Sequence, residues 1–132
     1  MRDTVSFSNK TRARMPRALF SSIKDAILGK NYELSVAYIP AAEMRRITIA
    51  TKKKDHVSNV LSFPLSKNSG EILLCPAAAK PFSLPYLFIH GALHLKGHKH
   101  GATMERFETR MLERFIPYAK NSHGNRRRHL SS

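Results

Sequence analysis

A chain of 132 residues with 42% apolar content can bury one hydrophobic core and is too short for two ordinary domains. Its 23 Lys and Arg against 9 Asp and Glu leave a formal charge of +14, which makes nucleic acid the leading partner class, with acidic lipid as the alternative. Cys75 is the single cysteine, so no internal disulfide is available; with no apolar run of signal-peptide or membrane-spanning length, the expectation is a cytoplasmic protein without a membrane partner.

Val5 and Phe7 alternate with polar neighbours from Thr4 to Ser8, which predicts a strand, and a basic loop follows over Lys10 to Arg14. Pro16 suits a first helical turn. From there Leu19, Phe20, Ile23, Ile27 and Leu28 recur at helical spacing until Gly29 stops them. Tyr32, Leu34, Val36 and Tyr38 predict a second strand, closed by Pro40. Residues 40–51 are assigned to a helix, against the β-branched character of Ile47 to Thr51. After the basic turn KKKDH, the segment VSNVLSFPL predicts a strand from Val57 that ends at Pro64. SKNSG is a turn and EILLC another strand. Leu87, Phe88, Ala92, Leu93 and Leu95 form an apolar run that Gly97 breaks. Thr103 to Phe115 predicts an amphipathic helix with Met104, Phe107, Met111, Leu112 and Phe115 inward. The whole reads as an α+β domain of about four strands with helices packed on them, spanning residues 1–118, and residues 119–132 read as a basic, disordered tail.

The segment HGALHLKGHKH, residues 90–100, holds four of the seven histidines. On a helix, His90 and His94 share one face one turn apart. An unbroken helix would carry His98 about 12 Å from His90, too far for one ion whose ligand bonds are about 2.0–2.1 Å long. Gly97 allows the chain to turn back, so His100 returns toward the pair and His98 becomes a neighbour. The pattern H-x-x-x-H-x-x-G-x-x-H matches the ligand part of the metzincin signature, but Gly91 stands where that signature carries its glutamate base. Three imidazoles with an open position make a catalytic site, with zinc the first choice. A structural site would need a fourth ligand, for which His98, His123 and His129 are the candidates.

HGALHLKGHKH resembles the HGxLHLxGyDH motif of the YbeY family, bacterial rRNA maturation factors regarded as single-strand-specific endoribonucleases with a zinc-like ion. SNVLSFPL is similar to the family's T[DN]VLSFP strand, GEILLC to its GDIxIC strand, and MERFETRML to its M..lE..iL helix, in the same order. The resemblance implies a small mixed sheet, with the metal centre on a central helix and the turn after it. His90, His94 and His100 would be the ligands, and the activity would be hydrolysis of rRNA precursors of the small ribosomal subunit. By register, Lys52 falls where the family has a functional arginine upstream of VLSFP, which implies a role for it in steadying charge on phosphate. His98 and Lys99 replace the family's Tyr-Asp, and Glu71 replaces an aspartate.

Three functions compete. The first is a metal-dependent endoribonuclease, in which Lys52 acts on the phosphate. Lys53, Lys54, Arg12, Arg14, Arg126, Arg127 and Arg128 would follow the RNA backbone. The second is a noncatalytic, metal-containing RNA-binding assembly factor. The third is a metallopeptidase, favoured by the histidine spacing and opposed by Gly91. Glu71 is assigned to a strand edge in preference to orienting a histidine, Ser62 and Asn59 to packing, and Phe63 to the core.

Overall fold

Alternation of apolar and polar side chains produces the four strands of the computed structural model, which describes residues 4–117. They are β1 (Val5–Asn9), β2 (Glu33–Tyr38), β3 (Val60–Ser66) and β4 (Ser69–Leu74). The sheet order is β1-β2-β4-β3; β1, β2 and β4 run parallel, and β3 pairs antiparallel with β4. This is a mixed sheet. A hairpin turning at Lys67 and Asn68 places β4 between β2 and the edge strand β3. β4 is therefore an inner strand, with Ile72, Leu73 and Leu74 buried.

Two strand boundaries differ from expectation. β3 begins at Val60 because Ser58, fully buried, bonds its hydroxyl to Thr48 at 2.7 Å and holds residues 57–59 as a lead-in to the strand. It also continues past Pro64, which pairs with Gly70 beside a register shift; proline's missing donor is tolerated on an edge strand.

The helices are α1 (Arg17–Leu28), α2 (Ala41–Lys52), α3 (Leu84–Lys96) and α4 (Ala102–Phe115). In α2 the threonines that weaken the sequence signal turn their hydroxyls back onto the helix: Thr48 donates to the Met44 carbonyl and Thr51 to that of Ile47, both at 2.8 Å. Met44 and Thr48 then face inward, so tertiary packing outweighs local propensity.

The sheet separates two cores. α1, α3 and α4 cover the face that presents Leu34, Val36, Val60, Ile72 and Leu74, whereas α2 covers the opposite face with Leu61, Leu73 and Cys75. α3 lies at the centre of the larger core, with every residue from Tyr86 to Leu93 buried. Phe88 stacks on Phe20 of α1 with ring centroids 4.3 Å apart and planes 6° from parallel. Loss of such a buried ring costs about 3–5 kcal/mol, so the helix that carries His90 and His94 is held rigidly.

Gly91 sets how closely α3 approaches the sheet. A Cβ at this position would lie 2.8 Å from Ser62 Oγ and 3.4 Å from two Ile72 carbons, and Ser62 Oγ donates to the Gly91 carbonyl at 3.1 Å. The side-chain direction at residue 91 is thus toward β3 and β4, away from the histidines. Among the described residues, no helix is long and apolar enough to cross a membrane.

Candidate metal centre

α3 starts at Ser83, whose hydroxyl accepts the Tyr86 N–H, and stops at Gly97 in the left-handed conformation with φ 112°. That stop is the turn expected from the sequence. It brings His100 back to His90 and His94, with ring centroids 5.0 and 4.6 Å away, and places one nitrogen of each residue within 4.8 Å of the others. His90 is buried, His94 half-buried and His100 exposed, so the group opens to solvent on the His100 side.

Hydrogen bonds decide which nitrogens face inward. His90 Nδ1 lies 2.6 Å from Glu108 Oε2, and His94 Nδ1 lies 3.0 Å from the His98 carbonyl oxygen. A carbonyl only accepts, so His94 carries its proton on Nδ1 and turns a bare Nε2 lone pair toward His90. With the Glu108 carboxylate accepting from His90 Nδ1, a neutral His90 has a bare Nε2 as well. The two Nε2 atoms sit 3.1 Å apart. Two lone pairs at that separation repel unless a proton or a metal ion lies between them. A tetrahedral ion with bonds of about 2.0–2.1 Å separates its ligands by about 3.3 Å, close to what is found. The three residues can share one ion, and their chemistry suits zinc and its neighbours.

Glu108 was not singled out in the sequence. It lies on α4, is 3% exposed, and also accepts a hydrogen bond from the Tyr86 hydroxyl at 3.2 Å. Two signals were available: the glutamate of the M..lE..iL pattern falls on this residue, and it is a carboxylate between Met104 and Leu112 at steps of four, on the apolar face of an amphipathic helix. Burial and the positive charge that would sit on His90 push the His94 imidazole down to about 4, with burial the larger cause. His94 therefore stays neutral, as a ligand must be, well below neutral pH.

None of the other expected site residues is part of this three-histidine group. His98 is a neighbour: its carbonyl orients His94 and its ring packs on Phe107 with centroids 4.8 Å apart. Lys52 ends α2, Lys53 follows in the left-handed conformation with φ 59°, and Lys54 continues the chain, all three exposed. Arg45 pins that turn through Asp55 at 2.6 and 3.0 Å. Glu71 is not at a strand edge, since β4 is an inner strand; it lines a groove of about 770 Å³ beside α2. Ser62 packs against Gly91, Asn59 accepts the Cys75 N–H through its carbonyl, and Phe63 is a half-buried part of the smaller core. Arg12 and Arg14 are exposed on the loop after β1. Arg126, Arg127, Arg128, His123 and His129 lie outside the described residues, as does the proposed 119–132 tail.

A small mixed sheet, a buried helix carrying two imidazoles and a third returned by a glycine turn define an α+β protein with a three-histidine group that could hold a metal ion. The family model described as Endoribonuclease YbeY matches residues 2–119. Proteins named Endoribonuclease YbeY are similar over much of the length. The one from Aromatoleum aromaticum is 34% identical over 122 residues, covering 78% of this chain and 79% of that protein. That from Thiobacillus denitrificans is 30% identical, covering 92% and 97%. A third, from Rubrobacter xylanophilus, is 36% identical over 88 residues, covering 64% of each. The solution structure of a Thermotoga maritima protein has the same fold, with a TM-score of 0.55 at 20% identity over 93% of this chain and 91% of that one. The chain belongs to the YbeY endoribonuclease family.

Proposed function

We propose that the protein is a metal-dependent, single-strand-specific endoribonuclease of the cytoplasm that acts on small-subunit rRNA precursors during ribosome assembly. The observation that carries the reading is the pair of Nδ1 hydrogen bonds that turn the Nε2 atoms of His90 and His94 toward one point beside His100. His90, His94 and His100 would hold a divalent ion, zinc first, which would supply Lewis acidity toward phosphate and acidify water to a pKa of about 7. Glu108 and the His98 carbonyl orient two of these histidines, and the exposed side of His100 admits substrate. Lys52 steadies charge on the phosphate, and Lys53, Lys54 and the arginines 126–128 bind the flanking backbone.

Gly91 weighs against the peptidase alternative. A glutamate at that position would point into Ser62 and Ile72, away from the imidazoles, so no base of the zincin type fits there. Phosphodiester hydrolysis relies more on charge stabilisation and tolerates the loss.

The test uses protein purified without a histidine tag, with metal quantified, on single-stranded RNA, duplex RNA and casein. Cleavage of single-stranded RNA with about one metal ion per chain, both lost in His94→Ala while the fold persists, supports the proposal. Intact RNA with tight, salt-sensitive binding would replace it with the noncatalytic assembly role. Lys52→Ala should slow cleavage more than it weakens RNA affinity.

A further inference from the structure

Where α1, α3 and α4 meet, a second cleft of about 250 Å³ is lined by the buried Ile27 and Leu93, the half-buried Met111, His98 and Phe107, and the exposed Lys96. The metal centre uses none of these side chains. The His98 and Phe107 rings meet at 4.8 Å with planes 46° apart, and the Arg110 guanidinium stands 5.6 Å from the Phe107 ring centre. His98 also joins the cleft to the metal centre, because its carbonyl takes the Nδ1 proton of His94 at 3.0 Å.

We propose that this cleft binds one nucleobase of single-stranded RNA, next to the phosphate that is cut. The inference rests on the endoribonuclease reading and names its base subsite. An apolar lining that includes aromatic rings matches the flat, hydrophobic face of a base, and adjoining cations match the phosphates on either side of it. Lys96 and Arg110 supply those cations, and the chain's net positive charge favours the same ligand. Only an unpaired nucleotide can turn its base out into such a cleft, so the same feature gives a physical basis for preferring single strands.

The experiment measures binding of uridine and adenosine monophosphates to the metal-loaded full chain, with ribose 5-phosphate as the base-free probe, by calorimetry and side-chain NMR shifts. Nucleotides should bind about tenfold or more tightly than ribose 5-phosphate and shift the His98, Phe107 and Met111 signals. His98→Ala should remove that advantage and His98→Tyr should restore it, with metal content unchanged in both. Ala26→Phe, an exposed position of α1 at the cleft, should block binding from a helix that carries no metal ligand. Equal binding of ribose 5-phosphate, or nucleotide affinity indifferent to His98→Ala and Ala26→Phe, overturns the assignment. RNA oligonucleotides with a single abasic position complete the test: cleavage should slow at one fixed offset from the cut, and a uniform profile refutes the subsite. Absence of cleavage for every oligonucleotide would count against the endoribonuclease reading, while the monophosphate measurement still decides the cleft.

Discussion

Removing the Glu108 carboxylate should weaken metal binding without removing a ligand. In Glu108→Ala, His90 loses the 2.6 Å partner that fixes its ring, and the buried Tyr86 hydroxyl loses its 3.2 Å acceptor. Loss of an outer partner of a metal-bound histidine costs about 10- to 100-fold in affinity, or about 1–3 kcal/mol. The unfilled His90 donor costs the metal-free fold about 1–3 kcal/mol further, because it sits where water has little access. Glu108→Gln keeps an oxygen for His90 and lacks the charge, so its loss should fall near tenfold. The assay is competition for zinc against a chromophoric chelator, paired with urea unfolding of the metal-free proteins. Glu113→Ala, an exposed carboxylate on the same helix, controls for net charge. If Glu108→Ala bound zinc within twofold of the unaltered protein, the orientation argument would fail.

Gly91→Ala should destabilise the metal-free fold by about 1–2 kcal/mol, since the clash with Ser62 outweighs the helical gain of about 1 kcal/mol. Adding Ser62→Ala should recover most of that loss; strictly additive urea midpoints would show that the two residues do not meet. Lys53→Gly should raise stability by about 0.5–1 kcal/mol in thermal unfolding, because the left-handed φ of 59° penalises any Cβ; a decrease would contradict it. For His94, whose folded pKa lies near 4 against an ordinary 6.5, the unfolded chain binds the proton more readily than the folded one. Its contribution is thus intact above pH 6.5 and is lost as pH falls toward about 4. Metal-free protein should lose stability over that window more steeply than His94→Gln, and equal slopes in urea unfolding would exclude His94 as the source.

Periodicity carried most of the architecture. The spacing of Phe20, Ile23 and Ile27 and the alternation of Leu34, Val36 and Tyr38 report burial on one face, and burial is what forms these elements. Strand order was not legible, because nothing local to residues 60–74 records that the hairpin enters the sheet with its second strand. The grouping of His90, His94 and His100 was legible, since a helical step of four and a glycine stop are local rules. Glu108 stood in the MERFETRML motif, but its role was not legible, because its partner is 18 residues away and its spacing looks like ordinary packing. Gly91 read as a missing base when considered as chemistry, whereas its role is the close contact of α3 with Ser62.

The dependence of His90 on Glu108 has a consequence for a chain made from its amino end. When residue 100 has been polymerised, all three imidazoles exist, yet the carboxylate that steadies the first of them has still to be added. A growing polypeptide would therefore hold the three imidazoles without that support until α4 has emerged and docked. Competence for an ion would then arrive only once that helix is made, a built-in delay for an enzyme whose proposed substrate is part of the machine assembling it.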